Sequence, residues 1–167
     1  MIVAGIDIGF AHTGISLFAV ANQTMEYLDS ECYTTKKVKG SKASVAQQDA
    51  DRILLMITSV IDYLKSANVD LVIIELPVGG ARSSRSARAL AISTAMSVFI
   101  PYHLGCKYIF VTPREVKLAT TGNPNAEKKD IIKAMGILFP NILKHNKGKQ
   151  EHISDSIGCV IARLDKI

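Results

Sequence analysis

Asp7, Glu75 and Asp155 are carboxylates set where a folded chain rarely leaves one alone. Asp7 follows the apolar run Ile2-Val3-Ala4-Gly5-Ile6, and Glu75 follows Leu71-Val72-Ile73-Ile74. Asp155 falls on a C-terminal helical pattern, one turn after His152. An ionised carboxylate at the end of a buried strand is costly unless it is paired or binds metal. His152 and Asp155 are spaced i, i+3, so they share one helix face. Brought together, three acids and an imidazole form a donor set for a divalent cation, and the oxygen-rich set suits Mg²⁺ or Mn²⁺.

Each acid sits in a local setting that fits such a role. Asp7 lies in Gly5-Ile6-Asp7-Ile8-Gly9, with Thr13-Gly14 soon after. Glycines around an acid at a strand end let backbone and ligand come close. The pattern resembles the phosphate loop of actin-like and sugar-kinase-like ATPases, and it also resembles the first active-site strand of RNase H-like nucleases. Glu75 precedes a Pro-Gly loop, which puts it at the carboxyl edge of a sheet, where sites form in open α/β folds.

The elements that must position these groups follow from the hydrophobic pattern. Residues 2–8 read as a buried strand, 15–20 as a second and 25–35 as a third, joined by short hairpin connections. A helix is expected over 44–66, with Ile53, Met56, Ile57, Val60 and Leu64 along one face. A strand over 70–75, a helix over 83–102 and a strand over 107–111 come next. A short helix, a loop at 121–125, a helix over 126–138 and a last helix over 152–165 complete the chain. Three meander strands followed by helix, strand, helix and strand make an α/β plan with a mixed sheet. With 167 residues, no internal repeat and no long linker, the expectation is a single domain.

The segment from Ser86 to Ile100 is apolar or small almost all the way round. Such a helix should be covered on more than one side, and a second copy of the chain is the simplest cover.

Bulk properties narrow the partner class. The net charge is +5 and the pI about 9.1, with the excess in clusters. Lys36, Lys37, Lys39 and Lys42 form one, and Arg82, Arg85 and Arg88 a second. Lys128, Lys129 and Lys133 form a third, and Lys144, Lys147 and Lys149 a fourth. Basic patches around an acidic metal site point to nucleic acid. No apolar stretch is long enough to span a bilayer, and no secretory signal pattern opens the chain. Cys32, Cys106 and Cys159 fit neither a disulfide framework nor a zinc site, so a reducing, cytoplasmic setting is expected.

Taken in order, these pieces resemble the RuvC family of Holliday-junction resolvases over nearly the whole chain. The first strand with Thr13-Gly14, and Ile73-Ile74-Glu75, look like the family's first two acidic strands. Ser86-Ala87-Arg88-Ala89-Leu90 resembles the start of its dimer-interface helix. Thr112-Pro113-Arg114-Glu115-Val116-Lys117, Thr121-Gly122-Asn123 and Ala126-Glu127-Lys128 are similar to its PRxVK…GxGxAEK stretch. His152-Ile153-Ser154-Asp155 resembles its C-terminal acidic motif, in which position 152 is Asp in many members and His in others.

The resemblance implies an RNase H-like five-stranded mixed sheet, three antiparallel strands then two parallel, flanked by helices. It also implies a homodimer acting on branched DNA. The implied site is a two-metal centre at Asp7, Glu75, His152 and Asp155, hydrolysing a phosphodiester to leave 5′-phosphate and 3′-hydroxyl ends. Lys117 and Lys128 match lysines tied to catalysis or to holding DNA, and Arg82, Arg85 and Lys129 join them as expected DNA contacts. One departure is the stretch Leu76-Pro77-Val78-Gly79, where some members carry an aromatic wedge. The competing readings are another RNase H-like nuclease acting on flaps, branched DNA or structured RNA, and an actin-like ATP-binding module. The second would need a further phosphate loop, which the sequence lacks.

Overall fold

Ile2–Ile8 (β1) is apolar on both faces because both are covered, and it lies at the centre of the sheet. The structure is a computed structural model that describes the chain except Pro77, Gly79, Arg82, Asn146 and Lys147, and the side chains of residues 143–145. His12–Ala21 (β2) pairs antiparallel with β1, and Thr24–Thr34 (β3) pairs antiparallel with β2. The β2–β3 turn has Asn22 at φ 50° and Gln23 at φ 59°. Positive φ at both central residues matches the twist of the flanking strands in a two-residue hairpin. Leu71–Glu75 (β4) runs parallel to β1, and Lys107–Val111 (β5) parallel to β4. The order is β3-β2-β1-β4-β5, so the expected five-stranded mixed sheet is the one that forms.

Among the described residues six helices flank the sheet, and side-chain caps fix where several of them begin. Val45–Ser66 (α1) starts where the Ser44 hydroxyl accepts from the Gln47 amide. Ser84–Leu104 (α2) starts at a Ser83–Ser86 capping box and stops at Gly105, whose φ of 65° lies in the left-handed region that favours glycine. Pro113–Thr121 (α3) has a Thr112–Glu115 box and closes at Gly122. Lys128–Leu138 (α4), Pro140–His145 (α5) and Gln150–Ile161 (α6) follow, then a 3₁₀ turn at Leu164–Lys166.

Strand alternation sorts side chains to two faces. Ala4, Ile6, Ile8, Val72 and Ile74 pack under α1 and α2 with Met56, Val60, Leu64, Met96 and Ile100. Val3, Phe18, Leu71 and Ile73 pack under α4 and α6 with Ile131, Met135, Ile153, Ile157 and Val160. By the same parity Asp7 and Glu75 point to the α6 side.

Three expectations are corrected. β2 begins at His12, three residues before the apolar run, because pairing with β1 and β3 holds the polar start in the ladder. The separate helix α5 did not stand out in the pattern. The last helix spans Gln150–Ile161, giving way to the 3₁₀ turn before Asp165. Within the chain α2 buries one stripe only: Ser93, Met96, Ser97, Ile100 and Pro101. Val98, Phe99 and Tyr102 on its other side are 49%, 45% and 80% exposed.

Candidate active site

β1 and β4 run side by side in a register that pairs Asp7 with Glu75, so the two acids are nearest neighbours across parallel strands. Neighbouring strands lie about 4.8 Å apart. On the other side of β1, Asp7 is opposite Gly14 of β2.

The third strip of the site is α6, and glycines admit it. A Cβ on Gly14 would meet the His152 carbonyl oxygen at 2.2 Å, and one on Gly5 would meet the Ser156 carbonyl oxygen at 2.0 Å. Only a backbone bare of side chains lets the helix lie this close to the sheet. The Ser16 and Ser156 hydroxyls, both buried, then meet at 2.6 Å, and the Cys159 thiol lies 3.6 Å from the Ile6 carbonyl. This seat brings His152 and Asp155, in the first two turns of α6, over the end of β1. The imidazole Nδ1 of His152 is 2.8 Å from Oδ2 of Asp7.

All four side chains are partly buried, and the electrostatics record their crowding. Burial pushes Glu75 up to about 8, helped by repulsion from Asp155 and Asp7, while Lys128 and Lys117 pull it down. Burial likewise raises Asp155 to about 7, again with Asp7 adding repulsion and Lys128 opposing. The hydrogen bond to Asp7 raises the His152 pKa, partly opposed by burial. Carboxylates that raise Glu75 and Asp155 in this way stand at a distance where shared positive charge would relieve them.

The donor chemistry therefore fits a hard divalent ion, with Asp7 between the other three groups. Among the described residues, no three His, Cys, Asp or Glu side chains converge to ligand spacing as they stand. Asp7 is turned to His152 instead. Drawing Glu75 and Asp155 onto one ion requires side-chain rotation on backbones that are already adjacent.

Of the expected basic residues, Lys117 on α3 and Lys128 at the start of α4 lie near enough to act on Glu75. Lys128 also forms an ion pair with Glu151, and that hydrogen bond raises its pKa. Lys129 pairs with Glu127 at 2.7 Å on the exposed surface. Arg85 is exposed in the first turn of α2, in a separate cleft. Arg82 lies outside the described residues, as do Pro77 and Gly79 of the stretch that replaces the aromatic wedge.

Two neighbours of the site were not legible in the sequence. The His12 ring stacks on His152 with centroids 5.0 Å apart and planes 16° from parallel, and its Nδ1 is 3.0 Å from the Thr34 hydroxyl. His12 precedes the Thr13-Gly14 signal by one residue, and nothing in its spacing marks it. Glu151 adjoins His152 but reads as an ordinary surface acid just before the last helix until Lys128 is seen against it.

Residues 3–163 match the family model described as crossover junction endodeoxyribonuclease RuvC. The fold is similar to that of Thermus thermophilus RuvC in complex with a Holliday junction substrate. That comparison gives a TM-score of 0.74 at 20% identity over 98% of this chain and 92% of the other. The fowlpox virus resolvase bound to Holliday junction DNA superposes with a TM-score of 0.59 at 19% identity, over 99% of this chain and 97% of that one. For the yeast mitochondrial Holliday junction resolvase the values are 0.67 and 11%, over 97% and 77%. No curated protein matches the sequence.

Proposed function

The chain belongs to the RuvC family of crossover junction endodeoxyribonucleases, and from that premise we propose that it resolves four-way DNA junctions by paired, symmetric nicks at a site built from Asp7, Glu75, His152 and Asp155. The single observation that carries the assignment is the register pairing of Asp7 with Glu75 under a helix that brings His152 onto Asp7. A buried carboxylate pair on adjacent strands destabilises the fold unless its charge is used.

In this reading Asp7, Glu75, His152 and Asp155 would hold two divalent ions. Mg²⁺ or Mn²⁺ bound there would supply Lewis-acid help to water attack and to departure of the 3′ oxygen. The protein's own part is to fix the donors. Asp7 is anchored by its central strand, His152 is oriented by Asp7 and by the stacked ring of His12, and Asp155 is carried by a helix seated on Gly5 and Gly14. Lys128 and Lys117 bring positive charge to the rim, where the phosphate of a DNA strand would lie. Arg82, Arg85 and Lys129 are assigned to DNA contact as well. Cleavage at the 3′ oxygen leaves 5′-phosphate and 3′-hydroxyl ends.

Two nicks need two sites, and a two-fold dimer supplies them in symmetric positions. The exposed Val98, Phe99 and Tyr102 of α2 support a homodimer through that helix. Residues 1–167 act as one nuclease domain in this reading, supported by a single sheet with a core on each face. A reducing, cytoplasmic setting is supported by three free cysteines, and no helix among the described residues is long and apolar enough to cross a membrane.

The test is cleavage of a mobile four-way junction with Mg²⁺ or Mn²⁺, mapped at nucleotide resolution beside flap, duplex and RNA–DNA hybrid substrates. The expected result is paired nicks on opposed strands of the junction alone. Asp7→Asn should abolish cutting and leave junction binding intact. Normal nicking by that variant, with contaminating nuclease excluded, would overturn the site. Preference for flaps would move the substrate to another branched structure.

A further inference from the structure

A cleft of about 790 Å³ opens between α1, α2 and the β1–β2 turn, lined among others by Phe10, Lys37, Asp49, Arg52, Arg85 and Arg88. Its centre is an acid that no motif marks. Asp49 is 5% exposed, on α1 one turn before Arg52. Its Oδ1 lies 3.3 Å from Arg52 Nη1 and 3.7 Å from Lys37 Nζ, and its Oδ2 lies 3.3 Å from Arg88 Nη2. One carboxylate thus spaces three cations drawn from α1, α2 and the loop before α1.

Arg52 is a strut. Its guanidinium lies 4.1 Å over the Phe10 ring and donates to the hydroxyl and the carbonyl oxygen of Thr35, each at 3.3 Å. Lys37 and Arg88 are different: their side chains are 38% and 52% exposed, so donors remain turned to solvent. With Arg85, the cleft gathers four cations around one carboxylate, a net charge of +3 in a concave wall. Stability does not call for that. A solvated basic face would spread its charges, whereas this one is gathered and held by a buried acid.

The location gives the charge a use. Phe10 is three residues after Asp7, so the cleft begins within about 11 Å of it along the chain. A DNA strand advances about 3.4 Å per nucleotide, which makes that reach about three nucleotides. We infer that the α1–α2 cleft is a phosphate subsite for the DNA strand that runs on from the cleavage site, with Lys37, Arg85 and Arg88 as its contacts and Asp49 as the residue that positions them. The inference rests on the nuclease reading given above. The guanidinium fork of Arg88, held on one edge by Asp49, offers its other donors in the geometry that suits phosphate oxygens.

The experiment is the binding of a labelled synthetic four-way junction, in EDTA, between about 50 and 200 mM salt. The variant Lys37→Gln with Arg88→Gln should lower the slope of log K against log salt by about two, one per lost phosphate contact. If the lines converge at 1 M salt, that difference is roughly a hundredfold weaker binding at 0.1 M. Lys65→Gln with Lys107→Gln, which removes two exposed charges elsewhere, should leave the slope nearly unchanged. Asp49→Asn separates positioning from bulk charge. It makes the protein more cationic, yet it should weaken junction binding because Lys37 and Arg88 lose their tether. Tighter binding by Asp49→Asn, or equal slopes for the two lysine-containing pairs in wild-type-like folds, overturns the subsite. Wild-type protein that neither binds nor cuts the junction or any other branched substrate overturns the nuclease reading itself, whereas wild-type cutting with unchanged variant slopes overturns the subsite alone.

Discussion

Gly14→Ala should damage catalysis far more than folding. A Cβ there would stand 2.2 Å from the His152 carbonyl oxygen, against 3.4 Å for the nearest ordinary contact. Something must yield by about 1.2 Å, and both sides are backbone: the β1–β2 ladder below and the first turn of α6 above. The sheet is tied on both sides of β2, so the helix end is the softer partner. Over-packing of this size costs about 1–3 kcal/mol, which the rest of the α6 seat resists through Ile153, Ile157 and Val160. The same movement carries His152 away from Asp7, from a hydrogen-bonded 2.8 Å to a separation at which the bond is lost. A misplacement of about 1 Å at a reacting centre costs on the order of 10²-fold in rate. The assay is single-turnover cleavage of a four-way junction with saturating Mg²⁺, run beside thermal melting. Gly136→Ala is the control: it sits inside α4 with nothing within 4 Å of the added carbon, so it should melt at or above wild type and cut normally. A Gly14→Ala protein that cuts at the wild-type rate would refute the close-packed seat as the device that sets the site.

The pH dependence has a definite sign. Glu75 and Asp155 have folded-state pKa values raised above the usual carboxylate range, to about 8 and about 7. The folded chain then holds more protons than the unfolded one from about pH 4 upward, so each acid subtracts stability as pH rises through that window. His152, also raised, adds stability that is lost as pH climbs through its folded value. All three act in one direction and outweigh His12, whose pKa burial lowers and which acts the other way: in EDTA the melting temperature should fall between pH 5 and 8, Glu75→Gln should flatten the fall, and added Mn²⁺ should restore the high-pH value. A melting temperature that rises over that window in EDTA would contradict the crowding of the acids. The exposed side of α2 gives a test of assembly. Phe99→Asp with Tyr102→Asp should turn a sedimenting dimer into a monomer and cost paired nicking, while a dimer that persists would place the interface elsewhere.

Much of this protein could be read along the chain. Alternation and apolar runs located β1, β4 and β5 to within a residue, because β1 and β4 are largely buried apolar strands and β5 is a short apolar run between turn signals. The long helices α1 and α2 were equally plain, with serine caps at their starts. Asp7, Glu75, His152 and Asp155 stood out because polar groups at the ends of apolar segments break a strong pattern. The polar start of β2 and the short helix α5 were hidden, since pairing and packing set them with little local preference to announce it. Asp49 was hidden for a different reason. On a helix surface an acid near an arginine is common, and only the arrival of Lys37 and Arg88 from other elements makes it a centre.

By itself the sequence determined which side chains carry charge and which face of each element they occupy, because those follow from residue type and from periods of two and 3.6. Tertiary structure decided which of them meet. The pairing of Asp7 with Glu75 is a matter of strand register, and the arrival of His152 depends on how closely a helix can approach two bare glycines. Neither is encoded in local spacing. The same holds for the stack of His12 on His152 and for the Lys128–Glu151 pair. Each joins residues far apart in the chain, and such contacts exist only once the sheet and α6 have closed on one another.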